Sequence, residues 1–146
     1  MSKGSNMVIL RGRLGRNPTH HIFTDGSLTA RLRLATNAHW RGKEGEKRER
    51  TDWHTVKVHG EAAKFCLRYL CKGDHVQVLG SIRNDQVGEG EHVRTYSSVR
   101  CWEIDLLSPM GEREPRVLPT SNGPAGHFRA DRKGESISLG SDAWPF

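Results

Sequence analysis

The chain has few of the residues that build disulfide frameworks, metal clusters or membrane spans. Its three cysteines, Cys66, Cys71 and Cys101, show no CxxC spacing, so neither a disulfide framework nor a zinc site is indicated. No segment approaches the run of about 18 apolar residues that a membrane helix needs, and no apolar signal-peptide segment follows Lys3. These absences predict a soluble protein that contacts no membrane, is not exported and resides in a reducing cytoplasm.

Apolar residues are also scarce. They make up 34% of the 146 residues, and the mean hydropathy is −0.69. A chain of this length accommodates one compact domain of about 100 residues plus a tail, but not two full-sized domains. We therefore expect one small core, with part of the chain outside it.

Proline and charge divide the chain into two parts. Five of the six prolines lie at or after Pro109, among Gly and Ser residues, a composition typical of disordered segments. In positions 1–108, 18 Lys and Arg residues outnumber 12 Asp and Glu residues, whereas the two signs balance in positions 109–146. We therefore predict a folded domain over 1–108 and a disordered tail over 109–146.

Within residues 5–107 the dominant pattern is the alternation of apolar and polar residues that marks half-buried strands. The predicted strands are Met7–Leu14, a hairpin of His21–Phe23 and Leu28–Thr36 about Asp25-Gly26, Trp53–His59, His75–Arg83 and Val93–Leu107. The charged stretch Gly42–Arg50 predicts a solvated loop, and helical spacing of apolar residues predicts a helix over Glu61–Cys71. Three strands, one helix and two strands is the order of an OB-fold. We therefore predict an all-β domain, a five-stranded OB-fold barrel with one short helix.

The alternation also assigns side chains to the two faces of each strand. Leu32 and Leu34 share one face of their strand, and Arg31 and Arg33 share the other. On the strand Trp53–His59 the residues on one face are His54, Val56 and Val58, and those on the opposite face are Trp53, Thr55, Lys57 and His59.

A solvent-facing surface that presents tryptophan together with lysine fits a nucleic-acid strand. Bases stack on indole rings while phosphates pair with ammonium and guanidinium groups, and the net charge of +6 favours a polyanion. The residues assigned to this surface are Trp53, Lys57, Trp40, Arg41 and Lys43. The alternative interpretation is that Trp53 packs on a neighbouring strand end and that the loop charges are simply solvated.

The sequence offers little for catalysis. His20 and His21 are adjacent on a strand, so their side chains point to opposite faces and do not readily chelate one ion. Cys66 and Cys71 lie on different sides of the predicted helix, which favours buried apolar roles over a redox pair. No phosphate-binding glycine loop, nucleophile elbow or carboxylate cluster is present in the sequence. We therefore predict no enzymatic activity, no metal and no cofactor.

Several short motifs, in order and at similar spacing, resemble the bacterial single-stranded DNA-binding proteins. The motifs are Asn6-Met-Val-Ile-Leu10 with Gly12 and Leu14-Gly15, Leu34-Ala35-Thr36 before Trp40-Arg41, Thr51-Asp52-Trp53-His54, and Tyr69-Leu70 with Lys72-Gly73. The resemblance covers residues 3 to about 107 and resumes at Pro145-Phe146, which is similar to the terminal dipeptide that recruits partner proteins. It implies an OB-fold homotetramer that binds single-stranded DNA during DNA replication, recombination and repair, in the bacterial cytoplasm at the nucleoid.

The resemblance also implies roles for individual residues. Trp40 and Trp53 match stacking positions, and His54 matches a position near the family's subunit interface. The residues that match basic, backbone-contacting positions are Lys3, Lys43, Lys72 and Arg83. Docking of replication and repair proteins is implied for the tip of the tail, formed by Asp142, Ala143, Trp144, Pro145 and Phe146.

The sequence departs from the family pattern in two places. His59 and Val87 stand where well-known members have aromatic stacking residues, and Asp85 replaces a basic residue, so we expect weaker base stacking with His59 still in the candidate site. The family's tail normally has several consecutive acids before Pro-Phe, whereas Asp142 is the one acid close to the tip here. Both differences fit a divergent paralogue, such as one from a mobile element.

Two other classes of function stay open at this point. A protein of the same fold could bind RNA or act in replication restart, which binding to matched DNA and RNA strands would distinguish. A small nuclease or nuclease subunit would need a metal site that the sequence does not show, and incubation of labelled single strands with divalent metal would reveal its activity.

Overall fold

The computed structural model describes residues 2–120, which form a β-barrel with one α-helix. The strands are β1 (Val8–Leu14), β2 (Thr19–Ile22), β3 (Leu28–Arg41), β4 (Lys47–His59), β5 (His75–Val87) and β6 (Arg94–Leu106). The helix, α1 (Gly60–Tyr69), lies between β4 and β5, and a 3-10 turn at Gly90–His92 joins β5 to β6.

The strands form one sheet in the order β1-β5-β6-β4-β3-β2, which closes because β1 also pairs with β3. Arg13 lies opposite Ala35 at the closure, and the parallel pairing of β4 with β6 places Val56 opposite Val99. Strand β2 has four residues and forms the predicted hairpin with β3. The barrel proper therefore has five strands and one helix, which confirms the predicted OB-fold.

The core is built from the alternating residues that the sequence pattern placed inside. Leu32, Leu34, Val56 and Val58 are buried, whereas Trp53 on the opposite face of β4 is 49% exposed. Helix α1 closes the barrel with its own apolar stripe, and its buried residues are Ala63, Cys66 and Leu67. The assignment of faces from the alternation is therefore confirmed.

Closure of the barrel depends on a glycine. A Cβ atom at Gly12 would lie 1.9 Å from the carbonyl oxygen of Ala35, in the backbone of β3. Because backbone atoms in a paired strand cannot move aside, β1 and β3 meet here only if residue 12 has no side chain.

The predicted solvated loop over Gly42–Arg50 is wrong at its C-terminal part. Strand β3 continues to Arg41 and β4 begins at Lys47, and these two end residues lie opposite each other. This hairpin extension lacks the apolar alternation that predicts strands. Its paired backbones carry polar and charged side chains in place of apolar ones. One example is the contact of 3.6 Å between Nδ1 of His39 and Oε1 of Glu49.

The segment 109–118 contacts the barrel through Arg113, Arg116 and Leu118, and we call this segment the strap. Arg113 binds the carboxylate of Asp74 through both Nη atoms, at 2.6 and 2.9 Å. Arg116 donates hydrogen bonds of 2.7 Å to the carbonyl oxygens of Leu67 and Leu70, at the end of α1 where carbonyls lack partners within the helix. These contacts attach the segment after the predicted boundary at residue 108 to the barrel and to α1.

Helix α1 has ten residues. Within residues 2–120 there is no helix with the length and apolar character to cross a membrane.

Candidate nucleic-acid interface

The exposed face of β4 forms the centre of the candidate site. Trp53, Thr55, Lys57 and His59 alternate along this face, and the register with β3 places Ala35, Arg33, Arg31 and Thr29 opposite them in turn. Lys57 also lies opposite Arg100 of the parallel strand β6. We call this surface the cationic face, and its members are Arg31, Arg33, Trp53, Lys57, His59 and Arg100.

The indole of Trp53 has a defined position on the cationic face. The guanidinium carbon of Arg33 lies 5.6 Å from the ring centroid, within the range of a cation–π contact. On β1's side, a Cβ atom at Gly15 would lie 2.4 Å from Cζ3 of the same ring. The ring is thus held by neighbours, yet half of it stays open to solvent for stacking.

The positive charges of this face repel one another at close range. Burial first, and then the neighbouring Arg16 and Arg33, lower the pKa of Arg31 to about 10. Burial and Arg31 also lower the pKa of Lys57, while Asp85 acts to raise it. Burial is the larger cause of both pKa shifts and the neighbouring cations add to it, so a polyanion such as a phosphate backbone would offset the mutual repulsion of these cations.

His59 stands beside these cations. Its Nδ1 atom lies 2.9 Å from Oγ1 of Thr29. Burial, followed by the charges of Arg100 and Lys57, lowers the pKa of the imidazole below its usual value. The ring can bind as a neutral platform or gain a proton when an anion approaches.

The sequence pattern missed three arginines of this surface. It placed Arg31 and Arg33 on the face of their strand opposite to Leu32 and Leu34, but did not join that side to the face of Trp53. The two faces are joined by the strand register, which places Arg31 opposite Lys57 and Arg33 opposite Thr55. Arg100 was missed because only the parallel pairing of β4 with β6 brings it beside Lys57.

Trp40, Arg41 and Lys43 lie at the far end of the hairpin of β3 and β4. Trp40 is 47% exposed, and Arg41 Nη1 donates a hydrogen bond of 3.1 Å to the carbonyl oxygen of Gly45 in the connecting turn. These side chains line an open groove, whose remaining lining residues are Gly42, Glu44, Glu46 and Arg48. The structure does not bring Trp40 onto the cationic face, because Trp40 lies opposite Arg48 on the other side of the hairpin.

The barrel and its closing helix have counterparts among known proteins. The model of the single-strand binding protein family matches residues 5–106. The chain belongs to this family.

Individual relatives agree with the family match. A single-stranded DNA-binding protein of Xanthomonas campestris pv. campestris is 35% identical over 113 residues, covering 77% of this chain and 66% of the relative. The chain thus spans slightly under two thirds of the length of this curated relative.

Two solved structures share the fold. The Plasmodium falciparum SSB in complex with ssDNA superposes with a TM-score of 0.69 at 27% identity, covering 74% of this chain and 99% of the other. A deletion mutant of the single-stranded DNA binding protein from Thermus aquaticus gives a TM-score of 0.66 at 27% identity, covering 80% of this chain and 56% of the other.

The basic residues assigned through the family resemblance are dispersed over the molecule. Lys3 is exposed in the segment before β1, and Arg83 is exposed on β5 opposite Ser98 of β6. Lys72 lies in the turn after α1, where its backbone N–H donates a hydrogen bond of 2.7 Å to Oδ1 of Asn17. Lys3 and Lys72 are not members of the cationic face, whereas Arg83 shares a side of the sheet with Arg100, because its partner Ser98 lies two residues from Arg100 on β6.

The position near the family's subunit interface, His54, is partly buried. Its Nε2 atom lies 2.9 Å from Oγ1 of Thr36 on the neighbouring strand. The docking tip, Asp142 with Trp144, Pro145 and Phe146, lies outside the described residues, so its role stays a prediction.

A second exposed apolar surface was not found from the sequence. On the outer side of β1 and β5, Ile9 lies opposite Leu79 and is 61% exposed. Trp102 is 54% exposed. It lies at a shift in the register of β5 and β6, because Leu79 pairs with Glu103 and Gly80 pairs with Cys101, which leaves Trp102 without a partner on β5. We call these apolar residues, with the exposed Met7, the apolar face.

Cys66 and Cys101 are buried, whereas Cys71 is only partly buried and its Sγ atom accepts a hydrogen bond of 3.0 Å from Nη2 of Arg116, so the expected buried role is wrong for Cys71. Burial raises the pKa of the Cys66 thiol to about 12 and that of Cys101 to about 11, so neither is a thiolate near neutral pH. Among residues 2–120, no three His, Cys, Asp or Glu side chains come together as a metal site.

Proposed function

We propose that this chain binds single-stranded DNA with little sequence preference and without catalysis. The observation that carries the proposal is the half-exposed indole of Trp53 beside the guanidinium of Arg33, on the face of the sheet that also carries Lys57 and Arg100. Family membership and the ssDNA complex of the Plasmodium falciparum relative support it. An exposed ring accepts any base, while the surrounding cations accept phosphates, so neither contact depends on base identity.

Phosphate contacts carry a large share of the affinity in this proposal. At two positions where the family has aromatic stacking residues this chain has His59 and Val87, so fewer aromatic rings are present for bases to stack on. Each base stacked on an aromatic ring contributes about 1 to 3 kcal/mol, and that contribution is reduced. The cationic face, together with the basic residues elsewhere on the domain, compensates through charge; these other residues are Lys3, Arg41, Lys43, Lys72 and Arg83.

The assembled form that we propose is a homotetramer. The apolar face leaves Ile9 and Trp102 more than half exposed, and contiguous exposed apolar surface of this kind marks protein interfaces. His54 is proposed to lie near a subunit boundary, as its family position implies. Light scattering with and without oligothymidylate tests the assembly, and a monomeric mass in both conditions would contradict it.

The cellular role that we propose is protection of single strands in DNA replication, recombination and repair in the bacterial cytoplasm, with association at the nucleoid. Partner proteins would dock on the tail tip around Trp144 and Phe146. The supporting observations are the family match and the Xanthomonas relative.

Titration with oligothymidylate tests the DNA-binding proposal. Trp53→Ala removes the ring on the cationic face and is expected to weaken binding by about 1 to 3 kcal/mol. Val117→Ala is the control, because Val117 is an 85% exposed apolar side chain in the segment after β6 and is not part of that face. If Trp53→Ala keeps its assembly and binds like the parent chain, the assignment of Trp53 is wrong.

Salt dependence tests the contribution of phosphate contacts. The logarithm of the affinity should fall with the logarithm of salt concentration by about 0.7 per phosphate neutralised. Lys43→Ala and Lys72→Ala should each reduce this slope and weaken binding to all sequences alike. A flat dependence in the parent chain would contradict the proposal.

A further inference from the structure

Strands β5 and β6 extend the surface on which Arg100 lies. Arg100 pairs with Ser81, and from there the register runs without irregularity to the pair of Asp85 and Tyr96. Because side chains alternate along a strand and directly paired residues share a side, Asp85, Tyr96 and Arg100 project from one side of the sheet. Lys57 joins them through its parallel pairing with Arg100. An acid and an aromatic ring therefore lie on the side of the sheet that carries the cationic face.

Tyr96 is a second exposed ring on this side of the sheet. It is 36% exposed and lies four positions before Arg100 on β6, as Trp53 lies four positions before Lys57 on β4. Because β4 and β6 are parallel, both rings lie in the same direction from the pair of Lys57 and Arg100, about 13 Å along their strands. A single DNA strand on this side of the sheet can therefore reach both rings.

The carboxylate of Asp85 lies beside this ring and interacts with a cation of the face. Asp85 is partly buried, and directly paired residues of antiparallel strands have Cβ atoms about 4.5 to 5.5 Å apart. The charge of Asp85 acts to raise the pKa of Lys57, so the carboxylate and the ammonium group attract each other. This attraction offsets the repulsion between the carboxylate and a phosphate backbone. An acid can therefore remain within a surface that binds a polyanion.

An ionised carboxylate distinguishes bases by the hydrogen-bond donors that they present. It accepts hydrogen bonds and donates none. Cytosine, adenine and guanine each carry an exocyclic amino group that donates, whereas thymine carries carbonyl oxygens and a methyl group and has no amino group. The edges of the bases are accessible in a single strand, because the bases are not paired. A carboxylate beside a stacked base therefore favours the amino bases over thymine.

Building on the proposed binding of single-stranded DNA, we infer that Tyr96 and Asp85 form a subsite that reads the base. The ring of Tyr96 stacks on one base, and the carboxylate of Asp85 accepts a hydrogen bond from the exocyclic amino group of that base. The rest of the surface does not depend on sequence, because its rings and cations contact features that all nucleotides share. The subsite therefore adds a modest preference for cytosine, adenine or guanine over thymine at one position per chain.

Titration with oligodeoxycytidylate and oligothymidylate of equal length, about 8 nucleotides, tests this subsite within the range that one OB-fold occupies. Every register of a homopolymer places the same base at Tyr96, so the ratio of the two dissociation constants reports the preference. Asp85→Asn keeps the size of the side chain, but its amide both donates and accepts and so serves cytosine and thymine alike. The ratio should shift toward oligothymidylate by about 3-fold to 10-fold, as expected for one hydrogen bond.

Two further substitutions separate base reading from charge. Asp105→Asn is the matched control, because it removes one negative charge from the same pair of strands. Asp105 lies opposite Gln77, which is eight residues from Asp85 along β5, about 26 Å away, so the ratio should stay unchanged. Tyr96→Ala should weaken the binding of both oligonucleotides. In the Tyr96→Ala background Asp85→Asn should no longer change the ratio, because no base is held beside the carboxylate.

The possible outcomes separate this inference from the proposed function. If Asp85→Asn changes the affinity for both oligonucleotides by the same factor, the inference is overturned and Asp85 acts only through its charge beside Lys57. A shift of the ratio by Asp105→Asn, or an undiminished shift by Asp85→Asn without the Tyr96 ring, would also overturn it. Failure of the parent chain to bind either oligonucleotide would reject the proposed function itself.

Discussion

The ring of Trp53 lies directly over Gly15, so closely that a methyl group at residue 15 would be 2.4 Å from Cζ3 and 2.8 Å from Cη2. Gly15 follows β1, and its N–H donates a hydrogen bond of 2.8 Å to the carbonyl oxygen of Arg33. The residue that supports the indole from below is therefore anchored to the strand whose arginine contacts the ring. A glycine in a loop thus sets the orientation of a candidate stacking residue.

Gly15→Ala is expected to weaken binding of oligothymidylate while leaving the barrel folded. The added methyl group must displace the indole, because contacts under 3 Å are not tolerated, and the backbone at Gly15 has no positive φ that would strain an alanine. The loss should approach that of Trp53→Ala, about 1 to 3 kcal/mol. Fluorescence titration measures it.

The matched control is Gly4→Ala, since a Cβ atom at Gly4 meets nothing within 4 Å. Circular dichroism of both variants confirms the fold. If Gly15→Ala binds like the parent chain, the position of the Trp53 ring does not determine affinity.

Much of the fold follows from local pattern. The alternation at Leu32, Leu34, Val56 and Val58 reports burial directly, and these residues are buried. The hairpin extension to Arg41 could not be predicted in the same way, because its faces are both polar. Backbone pairing and charged neighbours stabilise it, and neither leaves an apolar period in the sequence.

The candidate site was only half visible in the sequence. The alternation along one strand is enough to place Trp53 and Lys57 on its outer face. Arg100 is 43 positions from Lys57 in the sequence and becomes its neighbour only through strand pairing. Which tryptophan shares a face with which cation is likewise a property of register. Register depends on the whole barrel, so a local pattern cannot supply it.

Binding is expected to strengthen as the pH falls from about 7.5 toward about 5.5. The pKa of His59 in the free protein is below its usual value of 6.5, first because of burial and then because of Arg100 and Lys57. A bound phosphate favours the charged ring and raises its pKa, so binding takes up a proton. Affinity then rises as the pH falls through the bound-state pKa and levels off below the free-state pKa, with a slope of at most about tenfold per pH unit.

The measurement compares His59→Gln with the parent chain over this pH range. The affinity of the variant for oligothymidylate should lose the part of its pH dependence that His59 contributes. His92→Gln is the control, because His92 is exposed in the turn between β5 and β6 and should leave the slope unchanged. Identical slopes in His59→Gln and the parent would exclude proton uptake at this residue.

Residues 109–120 are expected to stabilise the domain. A chain ending at Thr120 keeps the contacts of Arg113 with Asp74 and of Arg116 with the end of α1, whereas a chain ending at Ser108 loses both. The shorter chain should unfold at a temperature lower by about 5 °C or more. Equal melting temperatures would show that the strap contributes nothing to stability.

The difference in melting temperature between these two chains should depend on pH. Burial acts to raise the pKa of Asp74, but hydrogen bonds from Arg113 and from the N–H of Cys71, with the charges of Arg113 and Arg116, lower it overall. A carboxyl whose pKa is lowered in the folded state stabilises that state above its unfolded pKa, near 3.8, and the gain is lost as the pH falls through the folded value. The difference between the two melting temperatures should therefore narrow below about pH 3.8.

Deletion of Trp144–Phe146 is expected to separate partner docking from DNA binding. Positions 121–146 have few apolar residues to offset the ordering of a fold, about 1 to 2 kcal/mol per residue for the backbone, so a short motif is the natural carrier of function. Trp144 and Phe146 supply two apolar anchors, Pro145 restricts the chain between them, and Asp142 adds one negative charge. Such a segment fits an apolar pocket with a basic rim.

The deletion should leave the affinity for oligothymidylate within about twofold, because stacking and phosphate contacts lie on the barrel. It should abolish recovery of replication and repair proteins from a bacterial lysate by the immobilised chain. Deleting residues 136–138 removes an equal length of tail and should preserve that recovery. Equal recovery by the parent and the chain without the tip would reject docking at Trp144 and Phe146, and a large loss of DNA affinity would instead assign the tip to the DNA-binding surface.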